Sequence, residues 1–133
     1  MNAPTLEDVR KRANRDQHRA AEPANSVWVA ASAGTGKTTV LTDRFLRLLL
    51  AQCPAQHLLC LTFTKAAAAE MANRIAERLA LWVTMEEGKL AKVLEALLGR
   101  PASDAERQVR PRRRLIARRS QLWLQSAVHA AHA

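Results

Sequence analysis

The sequence predicts an α/β fold in which a β-α-β-α unit with parallel strands is joined by extra helices. Three observations point to it. An apolar run over residues 26–31, holding Val27 and Val29, reads as a strand and passes into the glycine-rich loop Ala31-Ser32-Ala33-Gly34-Thr35-Gly36-Lys37-Thr38. A second apolar run, His57-Leu58-Leu59-Cys60-Leu61-Thr62-Phe63, follows the break at Pro54 and reads as a buried strand. After each run the apolar residues move to helical spacing, the alternation that parallel sheets require.

Each element has its own signal. Residues 5 to about 20 read as a polar helix with Thr5 as N-cap, leading into a loop at Pro23. Beyond the glycine-rich loop, Val40, Leu41, Phe45, Leu48 and Leu49 fall at helical spacing, with Asp43, Arg44 and Arg47 on the other face. A further helix follows the second strand, with Met71, Ile75 and Leu79 in an apolar line and Glu70, Arg74, Glu77 and Arg78 facing outward. Leu90, Val93, Leu94, Leu97 and Leu98 form the next, which ends before Gly99-Arg100-Pro101. Two strands are too few for the usual multi-stranded parallel sheet, so the domain reads as partial.

Composition narrows the class. A length of 133 residues bounds the chain at one modest domain with enough apolar residues for a core. Aromatics are scarce, with three Trp, two Phe and no Tyr, which suits a helix-rich α/β protein better than a β-sandwich. The N-terminus is polar and charged, and no apolar run approaches the ~20 residues that span a bilayer, so a cytoplasmic protein is expected. Cys53 and Cys60 match no zinc spacing and read as structural. His129 and His132 lack further ligands and read as solvated. The net charge of +9 is uneven, because eight of the arginines stand in residues 100–133 against only Asp104 and Glu106. That stretch reads first as a solvated tail, with binding to a phosphate backbone as the alternative.

The loop at 31–38 carries the chemistry. Gly34 and Gly36 allow positive φ and close approach of backbone NH groups to an anion. The helix opening after Gly36 adds free NH donors and a partial positive charge. Lys37 supplies a full charge for β- and γ-phosphates, and the Thr38 hydroxyl is a hard ligand suited to magnesium. This is a P-loop pattern with Ala31 where the general form has glycine; the bland alternative is a glycine turn with a solvated lysine.

Gln17, then the loop at 31–38, then Leu61-Thr62-Phe63-Thr64-Lys65-Ala66-Ala67-Ala68-Ala69-Glu70-Met71 form an ordered set. It closely resembles the N-terminus of UvrD-like superfamily 1 DNA helicases, and within them the AddA subunits of bacterial helicase-nucleases that process double-strand breaks. Alanine at the first loop position is common in these helicases. The resemblance covers roughly residues 14–100 and implies a partial RecA-like P-loop NTPase domain over residues 1–99. It implies that Gln17 recognises adenine, that Ala31, Ser32, Ala33, Gly34, Thr35, Gly36, Lys37 and Thr38 bind ATP, and that Thr38 holds Mg2+. It further implies that Thr62, Phe63 and Thr64 contact single-stranded DNA and that an AddB-like protein is a partner. For Phe63 the residues alone leave a place in the core equally open.

The sequence shows no apolar strand ending in Asp-Glu, the carboxylates that hold magnesium and activate water in such ATPases. A fragment is therefore expected, binding nucleotide weakly and unable to hydrolyse it efficiently or to unwind DNA. Residues 100–133 read as an arginine-rich divergent tail, with the resemblance lost near residue 110 through truncation or a shift of reading frame. The alternative function is a small non-catalytic protein that binds nucleotide and nucleic acid; a nucleotide kinase is disfavoured by the Thr-Phe-Thr-Lys-Ala segment.

Overall fold

The computed structural model describes residues 5–107 apart from Ala31, Ala33 and Thr35. The chain runs through α1 (Leu6–Ala20), α2 (Lys37–Leu50), a 3-10 turn (Ala55–His57), α3 (Lys65–Thr84), α4 (Glu87–Leu98) and the short α5 (Asp104–Arg107). The arginine-rich stretch beyond Arg107, with His129 and His132, lies outside the described residues.

The expected α/β architecture is overturned. Among the described residues there is no strand, and hence no parallel sheet and no β-α-β-α unit of RecA-like form. Residues 26–30 and 58–62 run without regular secondary structure. Alternating apolar residues favour a pleated, half-buried surface, but a strand exists only when a neighbouring strand pairs with its NH and C=O groups. Among the described residues no backbone ladder joins the two runs. Leu58 and Cys60 still pack against the edge of the core, but the larger side chains of these stretches stay outside it, with Trp28 92% and Phe63, which follows the second stretch, 107% exposed.

The core is instead helical. Phe45, Leu46, Leu49 and Leu50 of α2 pack with Ile75, Leu79 and Trp82 of α3 and with Leu90, Leu94 and Leu97 of α4. The predicted apolar spacings thus locate the buried faces, with two adjustments on α2. Leu41 points to solvent, and Arg47, expected on the polar face, is buried. Asp43 and Arg78 likewise leave the solvent side to form an ion pair of 3.0 Å between α2 and α3. Burial pushes the Asp43 carboxyl up, against the pull of Arg78. Cys60 packs half-buried against the core, where burial raises its thiol.

Helix α1 begins as expected. Thr5 caps it, its hydroxyl accepting from the Asp8 NH while the Asp8 carboxylate accepts from the Thr5 NH. It buries none of its own side chains, and only its C-cap, Ala21, is buried. At the other end, α5 opens on a second reciprocal cap between Ser103 and Glu106. Arg100 grips the same carboxylate through both terminal nitrogens at 2.7 and 3.0 Å. No helix among the described residues is long and apolar enough to cross a membrane.

Two outcomes follow from this packing. Leu94 is fully buried, and Leu94→Ala is expected to lower the unfolding free energy by about 2–5 kcal/mol, read as a fall in the urea midpoint. The bonds from Arg100, with those from Ser103, hold the Glu106 carboxyl at about 2, below its usual 4.5. A depressed carboxylate stabilises the folded state above the unfolded pKa and ceases to do so as pH falls through the folded one. The difference in thermal midpoint between the native chain and Glu106→Gln should therefore be full at pH 7 and shrink from pH 4.5 towards about 2. A difference that stays constant over that window would refute this account of the clasp.

Candidate functional site

The glycine-rich loop ends where α2 begins. Gly34 and Gly36 have φ of 79° and 85°, in the left-handed region where a side chain is strained. Gly36 is the N-cap of α2 and offers no side chain to the first-turn NH groups, and that first turn holds no acidic residue. The helix start is thus electropositive and lacks a side-chain cap, the arrangement suited to an anion.

Lys37, the first residue of α2, donates from Nζ to the Ser32 carbonyl at 2.5 Å, so the loop is closed upon itself by its own lysine. Thr38 and Thr39 are exposed at the next positions. Thr42 folds its hydroxyl back onto the Thr38 carbonyl at 2.8 Å, leaving the Thr38 side chain out of that contact.

Gln17 comes to this loop from α1. Its Nε2 lies 3.2 Å from where a Cβ on Gly36 would stand, whereas a Cβ on Gly34 would meet nothing within 4 Å. Gln17, Lys37, Val40 and Trp28 share the lining of an open cleft of about 1300 Å³ between α1 and the start of α2. Of the residues predicted for nucleotide, the structure brings together Gln17, Gly36 and Lys37, with Ser32 tied to Lys37. Ala31, Ala33 and Thr35 lie outside the described residues.

The Thr62-Phe63-Thr64 segment does not line this cleft. It leads into α3, and the Thr64 hydroxyl is engaged as the helix N-cap, accepting from the Ala67 NH at 3.1 Å. Phe63 is fully exposed, so the core position left open for it is not taken.

Sequence reasoning missed what fixes α1 beside the loop. Arg47, 5% exposed, donates from Nε to the Leu97 carbonyl and from a terminal nitrogen to the His18 carbonyl, at 2.9 and 3.2 Å. Its other terminal nitrogen lies 2.7 Å from His18 Nδ1, which must accept because a guanidinium only donates. Glu22 adds an ion pair at 3.6 Å. Burial draws the Arg47 guanidinium down, opposed by Glu22 and Asp43. Trp28 on the cleft wall was also unmarked; its signal was an aromatic residue between two valines immediately before the loop.

The glycine geometry yields a direct test. Ala at either Gly34 or Gly36 should cost about 1–2 kcal/mol of stability for the left-handed backbone. Gly36→Ala should cost more than Gly34→Ala, because only its Cβ meets Gln17, and the excess should disappear in a Gln17→Ala background. Equal costs in both backgrounds, measured by denaturant unfolding, would show that Gln17 does not rest on Gly36.

Comparison with known proteins gives the site its context. Residues 13–123 match the family described as UvrD/REP helicase N-terminal domain. The chain is 45% identical over 76 residues to the A subunit of the ATP-dependent helicase/nuclease of Oenococcus oeni, covering 57% of this chain and 6% of that protein. It is 48% identical over 79 residues to the same protein from Pelotomaculum thermopropionicum, covering 56% of this chain and 6% of that one. With the Lactobacillus gasseri counterpart it shares 48% over 58 residues, 44% of this chain and 5% of the relative. The matched region is thus about one-twentieth of each relative's length. No solved structure matches the chain.

Proposed function

The chain belongs to the UvrD/REP helicase N-terminal domain family, and on that premise we propose that it is the ATP-binding N-terminal segment of an AddA-like DNA helicase. The observation that supports this reading best is that Gln17 and Lys37 line one cleft at the start of α2, with Gln17 also against Gly36. A nucleoside triphosphate needs an anion site and a base-reading amide within one ligand's length. Here the anion site is a helix start without a side-chain cap beside a lysine, and the amide is Gln17.

The residues present fit the ligand and its metal. Gly34 faces open space, leaving room for phosphate against the loop. Lys37 exchanges its hold on the Ser32 carbonyl for phosphate oxygens, and the amide of Gln17 both donates to and accepts from the adenine edge. The exposed Thr38 hydroxyl is the protein oxygen for Mg2+, which when bound neutralises phosphate charge and polarises the triphosphate. The residues of this chain bind and orient; none is assigned to activate water. By the same reading Thr62, Phe63 and Thr64 face single-stranded DNA, with the exposed Phe63 ring as a stacking surface. Double-strand-break repair with an AddB-like partner is then the setting of the whole protein, and this segment alone neither hydrolyses ATP efficiently nor unwinds DNA.

A second reading is a free-standing, non-catalytic protein that binds nucleotide and nucleic acid. The observation in its favour is that α2, α3 and α4 enclose an apolar core of their own.

The deciding experiment is calorimetric titration of the 133-residue chain with ATP and Mg2+, alongside a turnover assay with single-stranded DNA. Binding that weakens at least about tenfold in Lys37→Ala, without sustained turnover, is the expected result. Multiple-turnover, DNA-stimulated hydrolysis abolished by Lys37→Ala would overturn the assignment of a non-catalytic segment. Absence of any Lys37-dependent binding would overturn the nucleotide site itself.

A further inference from the structure

Helix α1 carries Gln17 but buries none of its own side chains, and beyond its buried C-cap Ala21 the contacts that hold it beside the loop are polar. Those contacts converge on two residues of α2. Arg44 donates through Nη1 to the carbonyls of Ala20 and Glu22, at 3.3 and 2.7 Å, and through Nη2 to those of Pro23 and Asn25, at 3.5 and 2.6 Å. One guanidinium fork therefore gathers four carbonyls from the segment that leaves α1 and leads to Trp28 and the loop. Arg47, one turn further along α2, takes the His18 carbonyl and ring.

The chemistry of this arrangement is specific. The last carbonyls of a helix have no partner within it, and a cation at that end is favoured by the helix dipole. A planar guanidinium spreads its donors over two terminal nitrogens and so reaches the Ala20 carbonyl together with those of Glu22, Pro23 and Asn25 beyond the helix, a span that the three donors on a lysine's single nitrogen do not match. Both arginines also belong to the helix whose first residue is Lys37. The distance from the base-reading amide to the phosphate-binding lysine is accordingly set through one rigid element, with Lys37 at its start and the arginines on its flank.

We propose that Arg44, supported by Arg47, is a positioning residue that fixes Gln17 relative to the P-loop and so determines preference for adenine, without itself touching the nucleotide. This rests on the reading of the cleft as an ATP site. Arg44 is the better probe because it is only partly buried, whereas Arg47 lies within the fold.

The test measures Mg2+-dependent dissociation constants for ATP, GTP and inorganic tripolyphosphate on the full chain, by calorimetry. The variants are Arg44→Ala, Arg44→Lys, Gln17→Ala and the Arg44→Ala/Gln17→Ala double. In the native chain ATP is expected to bind about tenfold more tightly than GTP, the scale of one or two hydrogen bonds. Arg44→Ala should erase most of that preference while tripolyphosphate affinity stays within about twofold. The double variant should match Gln17→Ala, since a residue acting through another adds nothing once that other is gone. Arg44→Lys should be intermediate, and it decides the matter if the circular dichroism of Arg44→Ala shows loss of helix. Retention of the full ATP preference in Arg44→Ala or Arg44→Lys, or an equal fall for ATP and tripolyphosphate, would overturn the proposal. If the native chain binds tripolyphosphate without preferring ATP, the positioning role fails and the phosphate site stands; if it binds none of the three, the underlying reading fails.

Discussion

The buried guanidinium of Arg47 is the interaction on which the arrangement depends. It reaches the C-terminal turn of α1 through His18, the C-terminal turn of α4 through Leu97, and belongs itself to α2. A charge so enclosed costs several kcal/mol to desolvate and persists only when every donor is met. Here each of the three nitrogens finds a partner, in two carbonyls and an imidazole nitrogen, and the Glu22 carboxylate adds an ion pair. The same residue thus closes the helical core at the α4 end and docks the polar helix α1 at the other. Without it the core would still have its leucines, but α1 would lose its deepest anchor.

The molecule consequently has two kinds of cohesion. Between α2, α3 and α4 it is apolar, non-directional and proportional to area. Between α1 and α2 it is directional, built from charge-assisted hydrogen bonds to carbonyls of the last turn of α1 and of the segment that follows it. The cleft lies along the second kind of boundary. Directional contacts fix an angle and a distance in a way that a greasy face does not.

Much of this was legible in the sequence, and the rest was illegible for physical reasons. Helices are local objects: the Thr5 cap, the leucine spacing of α4 and its stop at Gly99 all appear where the residues predicted them. The closeness of Gln17 to the glycine-rich loop follows the order of motifs in the sequence, and the positive φ of Gly34 and Gly36 follows from their lack of a Cβ. The two strands were not legible, because pairing is non-local, and the alternation at Val27–Val29 and Leu59–Phe63 states only a propensity. Arg44 and Arg47 were misread because charged residues on a helix flank are usually solvated, and nothing in their spacing says that carbonyls from residues 18–25 will arrive there. One signal was present and passed over: Ser103-Asp104-Ala105-Glu106 is the Ser-x-x-Glu pattern of a reciprocal cap, and it opens α5.

The bond from Lys37 to the Ser32 carbonyl makes the loop its own competitor. An arriving ligand does not meet an idle ammonium; it has to win that group from an acceptor already in place. A neutral oxygen offers no advantage over a peptide carbonyl, whereas an anionic one forms a bond roughly twice as strong. At a phosphate site of the kind proposed, the exchange would favour ligands with charge concentrated at the loop and would weaken as salt screens that charge. On the proposed reading of the loop as a phosphate site, selection against uncharged molecules would in this way be built into the resting loop.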